Sequence, residues 1–525
     1  MLKNYREFLP KSFTVLKNYH FGLLKKDFSA GITVGIVSLP LAMAFAMASG
    51  VTPERGLFTA IIAGFLISFL GGSRVQIGGP TGAFVLIVYS IVQRHGYEGL
   101  ALATLIAGGL LILMGAFKLG SLIKFVPHPL IIGFTTGIAV VVFSLQIKDL
   151  LGLQMAHVPA TFIEKWAAYY KALPTLDTLT TFVGLGTVAF IFALRRWTPS
   201  IPWGVAGILV ATAVCAIFHL PVETVASHFG NLPKSLPMPT LNFEYARVLD
   251  VLPDAITIAL LAGIESLLSA VIADGLISGR HRPNIELIGQ GVANIGSVIF
   301  GGIPATAAIA RTATNIKTGA QTPTAGMISA TVVMVLLWAC STLVGGIPLV
   351  ALSAILVVVA WQMSEIPHFF KLTRTSKGDV AILVTSFLLT VLLDLTVAVE
   401  VGMLMAAFFF MKQMSDVKHV IALEKRLPEQ GVEVYKLRGP FFFGVTDRLK
   451  NLFLQMEEPP KMLILRMKHV PVVDATALQT LREVKRRCEA KGSRLILVEV
   501  QPEPTEHLKK YGLEDLISIS NEHLR

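Results

Sequence analysis

The sequence predicts an α-helical polytopic membrane protein: fourteen apolar segments in two inverted repeats of seven, followed by a small α/β domain. Three observations predict it. Of 525 residues, 53% are hydrophobic and only 15% charged, against roughly 25% charged in an average soluble domain. That excludes a wholly soluble enzyme, and it excludes a disordered chain, which lacks so much apolar surface. The charge is also unevenly spread. Residues 1–411 hold 25 Lys and Arg and 18 Asp and Glu, whereas residues 412–525 hold 20 and 16. Finally, a constant offset of 224 residues lays Gly31-Ile32-Thr33 on Ala255-Ile256-Thr257, Pro80 on Pro304 and Ala83 on Ala307.

Taken in order, residues 1–27 are polar and basic without an apolar core, so no cleavable signal is expected and the first span directs insertion. Crossing a bilayer takes roughly 20 apolar residues, and fewer inside a bundle. Such runs fall at 28–49, 56–70, 100–117, 130–147, 180–194, 203–218, 252–272, 284–300, 323–344, 347–362, 378–393 and 396–411. Two shorter pieces, 80–92 and 304–318, follow the glycine-rich stretches Gly71-Gly72-Ser73-Arg74-Val75-Gln76-Ile77-Gly78-Gly79 and Phe300-Gly301-Gly302-Ile303. Each is third in its half. The membrane domain therefore covers 28–412, with repeats over about 28–218 and 252–412, and an odd number of spans makes the repeats inverted. With the N-terminus inside, seventeen Lys and Arg fall in cytoplasmic stretches and seven outside, the asymmetry expected of a correct count. The net charge of +11 then reflects cytoplasmic loops and anionic headgroups, and no nucleic-acid partner is expected. Cys215, Cys340 and Cys488 form no disulfide or metal pattern.

Glycine lets an extended backbone lie close to a neighbour, and proline in a first helical turn loses no needed hydrogen bond. The small residues that follow, Thr81-Gly82-Ala83 and Ala305-Thr306-Ala307-Ala308, leave the first helical N–H groups open. Two such half-helix N-termini facing each other at mid-membrane would trap an anion; the alternative is a proline-kinked packing pair. Charges within spans mark function by default. Glu265 lies in the eighth segment with Ser269 one turn along, so the two could share a proton or a cation. Arg311 lies about two turns into the tenth segment, where it supports anion binding or, alternatively, forms a locking salt bridge with Glu265. Glu286, Gln290 and Asn294 share one face of the ninth segment and read as interhelical hydrogen-bonding groups. Phe45 is either a pocket wall or plain packing.

Residues 413–430 read as a linker and 431–525 as the soluble domain. Val432-Glu433-Val434-Tyr435-Lys436-Leu437 alternates, Met462-Leu463-Ile464-Leu465 and Leu495-Ile496-Leu497-Val498 are buried-strand runs, and 477–490 has helical spacing. Asp474 or Thr476 caps that helix. No metal, nucleotide or nucleophile motif occurs there, and no enzyme activity or cofactor is expected.

Gly78-Gly79-Pro80-Thr81-Gly82-Ala83, Ile264-Glu265-Ser266-Leu267-Leu268 with Ala273-Asp274-Gly275, and Ala305-Thr306-Ala307-Ala308-Ile309-Ala310-Arg311-Thr312 resemble the sulfate permease (SulP) family, over essentially the whole chain. The tail resembles the STAS domain that ends such proteins. The resemblance implies a core domain, segments 1–4 and 8–11, moving elevator-like against a gate domain, segments 5–7 and 12–14. It implies a homodimer in lipid, with the STAS domain open to a cytoplasmic protein partner. It places the anion at Thr81, Gly82 and Ala83 with Ala307, Ala308 and Ile309, and the coupling group at Glu265. Glu265 with Ser269, in place of the Asp and Thr of sodium-coupled bicarbonate relatives, favours protons over sodium. Ala477 replaces the glycine of the STAS loop, where Thr476 is the candidate regulatory hydroxyl. Within the family, the run Gly152-Leu153-Gln154-Met155-Ala156-His157-Val158-Pro159 and the segment-ten motif, Ala305 to Thr312, look closest to enterobacterial aerobic dicarboxylate transporters. The expectation is proton-coupled uptake of succinate or fumarate across a bacterial inner membrane, with both termini cytoplasmic. The alternatives are sulfate or bicarbonate transport, proton- or sodium-coupled, and an anion channel or exchanger under STAS control.

Overall fold

The computed structural model describes residues 8–15, 19–121, 127–155, 158–159, 161–198, 202–240, 247–277, 279–393, 395–415, 421–427, 431–442, 446, 449 and 460–518. The chain divides into two compact units, residues 1–403 and 404–525.

The membrane unit opens with α1 (Phe21–Ala48), α2 (Pro53–Leu70), the short strand β1 (Gly78–Gly79) and α3 (Gly82–Ala116). α3 contains both the third and fourth segments, separated by a kink at Gly96, where φ is +69°. Then come α4 (His128–Leu150), the short α5 (Phe162–Ala172), α6 (Thr178–Trp197) and α7 (Trp203–Ile217). The second repeat comprises α8 (Val248–Ile277), α9 (Pro283–Ile299), strand β2 (Thr306–Ala307), α10 (Ile309–Lys317), α11 (Thr324–Gly345), α12 (Leu349–Met363), α13 (Lys377–Leu392) and α14 (Leu395–Ser415). Eight helical stretches among the described residues are long and apolar enough to cross a membrane. The fourteen-segment, seven-plus-seven reading holds.

Helices in lipid gain nothing from burying leucine against leucine, so close approach at small residues carries their association. A Cβ added at Gly31 would lie 2.7 Å from the Ala325 carbonyl oxygen, which sets α1 against α11. One at Gly291 would lie 2.4 Å from the Gly108 oxygen, which sets α9 against α3. One at Gly133 would lie 2.6 Å from the Leu383 oxygen, which sets α4 against α13. The two repeats thus interlock rather than sit side by side. α1–α3 pack with α8–α11, and α4 packs with α12 and α13. These are the core and gate groupings.

The second unit is a four-stranded sheet of β3 (Ile421–Leu427), β4 (Val432–Arg438), β5 (Met462–His469) and β6 (Arg494–Val498), in the order β3-β4-β5-β6. β3 and β4 are antiparallel, and the two other pairings are parallel. α15 (Ala475–Ala490) and α16 (Pro502–Lys510) complete it. Leu463, Leu465, Leu481, Val484, Leu497 and Leu508 form the core. The Asp474 carboxylate accepts from the Ala477 amide at 2.7 Å, so Asp474 is the cap and Thr476 sits exposed in the first turn. The linker expected over 413–430 needs correction: 413–415 finish α14 and 421–427 are a strand, because β4 needs an edge partner for its own backbone groups. Residues 416–420 and 428–430 of that stretch lie outside the described residues, as do Ala156 and His157.

α5 lies between spanning helices and carries Lys165, which is fully buried and whose ammonium has no hydrogen-bond partner among the described residues. Burial pulls its pKa from 10.5 down to about 8. The unfolded chain therefore binds more protons between those values, and stability rises with pH across that window. Below it the buried charge costs its full amount. Lys165→Met should raise the melting temperature of the detergent-solubilised protein at pH 7, because it removes an ammonium buried without a partner. The gain should shrink as pH approaches 10.5, which a thermal melt series in pH will read directly.

Candidate functional site

The extended stretches before α3 and α10 would expose unpaired backbone groups in an apolar medium, so each must find partners inside the protein. They partly satisfy each other. β1 and β2 pair antiparallel, Gly78 opposite Ala307 and Gly79 opposite Thr306, and the Ala308 amide donates to the Ile77 oxygen at 2.9 Å. Side chains hold the rest. The Ile77 amide donates to Thr312 Oγ1 (3.1 Å), Asn315 Nδ2 to the Val75 oxygen (2.8 Å) and Gln76 Nε2 to the Ser266 oxygen (2.7 Å). Glu286 accepts from the Gly72 and Ser73 amides at 2.6 and 3.1 Å, and Gln290 donates to Glu286 at 3.0 Å. Asn294 brackets Ala305, accepting from its amide and donating to its oxygen, both at 2.8 Å. The polar face of the ninth segment therefore makes hydrogen bonds to other elements, as its spacing suggests.

With the strands fixed, the helix N-termini of α3 and α10 begin beside each other. Their caps are Thr81 and Ala308, both with extended backbone and neither with a side-chain capping bond. The Gly82 and Ala83 amides of α3, and the Ile309 and Ala310 amides of α10, have no acceptor among the described residues. Four donors thus stand open at the positive ends of two helix dipoles whose leading strands are paired. Ala307 itself lies in β2, fully buried, one residue before the cap. Phe45, 5% exposed, presses its ring against Gly82. A Cβ there would lie 3.3 Å from Phe45 Cε1 and 2.8 Å from Met363 Sδ. Glycine is needed for space, and Met363, the last residue of α12, joins the wall from the gate side. Its position in an aliphatic run gave no sequence signal.

The ionisable groups are placed differently from the expectation. Thr81 Oγ1 donates to Glu265 Oε2 at 3.1 Å, so the hydroxyl that could have capped α3 reaches the carboxylate on α8 instead. Ser269 does not share Glu265; its Oγ lies 3.5 Å from Thr312 Oγ1, because residue 269 faces α10. Arg311, 4% exposed, donates from Nη2 to the Pro80 oxygen at 2.6 Å, and a Cβ on Gly79 would lie 2.7 Å from its Nη1. It grips the backbone that leads into α3. No Glu265–Arg311 contact within 4.0 Å occurs, so the locking salt bridge is absent. No cluster of three or more His, Cys, Asp or Glu able to hold a metal occurs among the described residues.

A helical membrane domain with two half-helix N-termini meeting at its centre, joined to an α/β tail, defines an anion transporter. The chain belongs to the sulfate permease family, whose description matches residues 24–386, and the STAS domain matches 427–523. It is 40% identical over 508 residues, 95% of both chains, to YvdB of Bacillus subtilis (strain 168), which is named provisionally as a sulfate transporter. It is 28% identical over 527 residues, 95% of this chain and 93% of the relative, to the bicarbonate transporter BicA of Picosynechococcus sp. (strain ATCC 27264 / PCC 7002 / PR-6). The murine Slc26a9 anion transporter, solved in an inward-facing state, superposes with a TM-score of 0.86 at 18% identity, covering 97% of this chain and 91% of that one, and so shares the fold. These names overturn the dicarboxylate expectation. Of the run 152–159 that helped to suggest it, the Val158 oxygen accepts from Tyr89 of α3; the segment-ten motif that also suggested it is shared with sulfate and bicarbonate relatives at the level of the family.

Replacing Asn294 by Leu strands the buried amide and carbonyl of Ala305, at about 1–3 kcal/mol for each unsatisfied group. The Asn294→Leu protein should therefore melt well below the parent, whereas Asn294→Asp, which keeps the acceptor, should lose less. Equal melting temperatures would disprove the bracket.

Proposed function

We propose that the protein is a secondary active transporter of a small inorganic oxyanion, sulfate first, residing in a bacterial cytoplasmic membrane with both termini inside. The observation that carries this reading is that the Gly82, Ala83, Ile309 and Ala310 amides are open at two helix N-termini whose leading strands pair with each other. Amides recognise charge and size rather than a carbon skeleton, and sulfate is the substrate in the name of the relative at 40% identity. Bicarbonate is the second reading, favoured by the likeness to BicA. Thr81, Gly82, Ala83, Ala307, Ala308 and Ile309 with Phe45 form the binding place, and Arg311 sustains it by holding Pro80. Core movement against the gate exposes this place to either side, with Met363 at the sliding contact. Thr476, exposed in the STAS domain, is the hydroxyl at which regulation would act.

Glu265 is the coupling group. A carboxylate in the middle of a spanning helix, hydrogen-bonded to a hydroxyl and not in salt-bridge contact with a cation, is suited to take up a proton. Its link to Thr81, the cap of α3, lets protonation be felt at the anion place. Reconstituted protein should accumulate labelled sulfate when an inward proton gradient is imposed, and bicarbonate should compete. Glu265→Gln should bind sulfate with unchanged saturation yet lose all response to the pH gradient. Accumulation driven by sodium and indifferent to pH would overturn the proton assignment. Absence of saturable uptake for both anions would overturn the transport reading.

A further inference from the structure

The strand that leads into α10 is held from its other end by a contact that the anion site itself does not include. Arg55, in the first turn of α2, donates from Nη1 to the Gly301 oxygen at 3.0 Å, and its guanidinium carbon stacks 3.3 Å from the centroid of the Tyr97 ring. Tyr97 follows the kink in α3. At Gly96 an added Cβ would meet nothing within 4 Å, so glycine serves there for its positive φ and not for space. The kink turns Tyr97 inward, and its hydroxyl donates to the Gly302 oxygen at 2.8 Å. The next residue, Ile303, gives its amide to Thr59 Oγ1 (2.7 Å) and receives Ser297 Oγ on its oxygen (2.7 Å).

Three consecutive carbonyls are thus each claimed by a different side chain, and the backbone has no room to shift. A Cβ on Gly302 would fall 2.4 Å from Ser297 Oγ. The arrangement complements the opposite end of α2. There the carboxylate of Glu286 accepts from the Gly72 and Ser73 amides before β1, whereas here a guanidinium and a phenol donate to carbonyls before β2. A stacked guanidinium keeps its charge-assisted bond in a fixed plane, which a flexible ammonium cannot do. Only Pro304 and Ala305 separate this clamp from β2, and α10 starts two residues after β2 ends.

We propose that Arg55 is a positioning residue for the anion: with Tyr97 it fixes the carbonyls of Gly301 and Gly302 and so sets where the Ile309 and Ala310 amides point. This rests on the reading of those amides as the anion site. The full-length protein in detergent, titrated with sulfate and melted at each concentration, separates the two, since a ligand raises the melting temperature according to its own affinity. In Arg55→Met the sulfate concentration for half-maximal stabilisation should rise about tenfold, the scale of losing one charge-assisted bond. Tyr97→Phe should give a smaller rise, and the double variant little more than Arg55→Met alone. In vesicles, KM should rise while the maximal rate holds. Arg55→Lys, which keeps the charge without the plane, supplies a milder test if Arg55→Met folds poorly, and it should show an intermediate rise. A lower melting temperature without sulfate, combined with unchanged sulfate dependence, would make Arg55 merely structural and overturn the proposal. Saturable wild-type stabilisation with unchanged variants would overturn the clamp alone. A wild-type protein insensitive to sulfate and bicarbonate would overturn the anion site and the clamp together.

Discussion

Two residues of antiparallel pairing, Gly78 with Ala307 and Gly79 with Thr306, hold together everything that follows from them. In the middle of a membrane domain, an extended backbone is tolerated only where protein supplies partners for its polar groups. Neither strand could exist without the other, and neither half-helix could begin where it does without its strand. The glycines of β1 serve that pairing by admitting neighbours. Gly78 lies against Ile67 and Gly79 under the Arg311 guanidinium, positions at which a Cβ would come within 2.7 Å. The inverted repeat supplies the two strands with opposite polarity, which is what an antiparallel ladder requires.

Around this pairing, the buried polar side chains divide their labour by chemistry. Carboxylate and hydroxyl oxygens take the strand amides, as Glu286, Thr312 and Thr59 do. Amides, guanidinium and phenol take the strand carbonyls, as Asn294, Asn315, Arg311 and Tyr97 do. The amides of Gly82, Ala83, Ile309 and Ala310 stay outside this accounting. Gly82 and Ala83 are buried, Ile309 is half-buried and Ala310 exposed. Leaving a buried donor unmade costs more than a made bond gains, and on the proposed reading the missing acceptor is an anion that comes and goes.

Much of this was legible in the sequence, for physical reasons. Span count and the two broken helices followed from hydropathy and the Gly-Gly-Pro pattern, which report the membrane as solvent. The hydrogen-bonding face of Glu286 and Asn294 followed from local spacing, but the half-helices start later than their prolines suggested, after Thr81 and Ala308, because extended backbone pairs first. Contacts between distant segments were not legible. Ser269 is one turn from Glu265, yet the helix is rotated so that it meets Thr312, and the partner of Glu265 comes from 184 residues away. Arg311 stood out by the cost of its charge, but its contact with the Pro80 carbonyl, 231 residues away, was not legible. Met363 carried no signal at all, since an apolar residue at the end of an apolar helix announces nothing. Strand β3 was hidden in a charged stretch that lacks the alternation of a half-buried strand.

The mistaken substrate came from resemblance and not from the chemistry of the proposed site. A place built from backbone amides, alanines and one aromatic ring has few side chains that could distinguish carbon skeletons, so its sequence specifies an anion and little more. Resemblance of the run 152–159 and of the segment-ten motif to dicarboxylate transporters then supplied a substrate that those groups do not specify. What the neighbours of Gly82 restrict is space: it is hemmed by Phe45 from α1 and Met363 from α12. On the proposed reading, a ligand taken by the α3 amides lies beside that apolar contact. A compact oxyanion carries its charge in one place, whereas the second carboxylate of an extended dicarboxylate would need a partner of its own, and burying a charge without one is among the most expensive steps a protein can take.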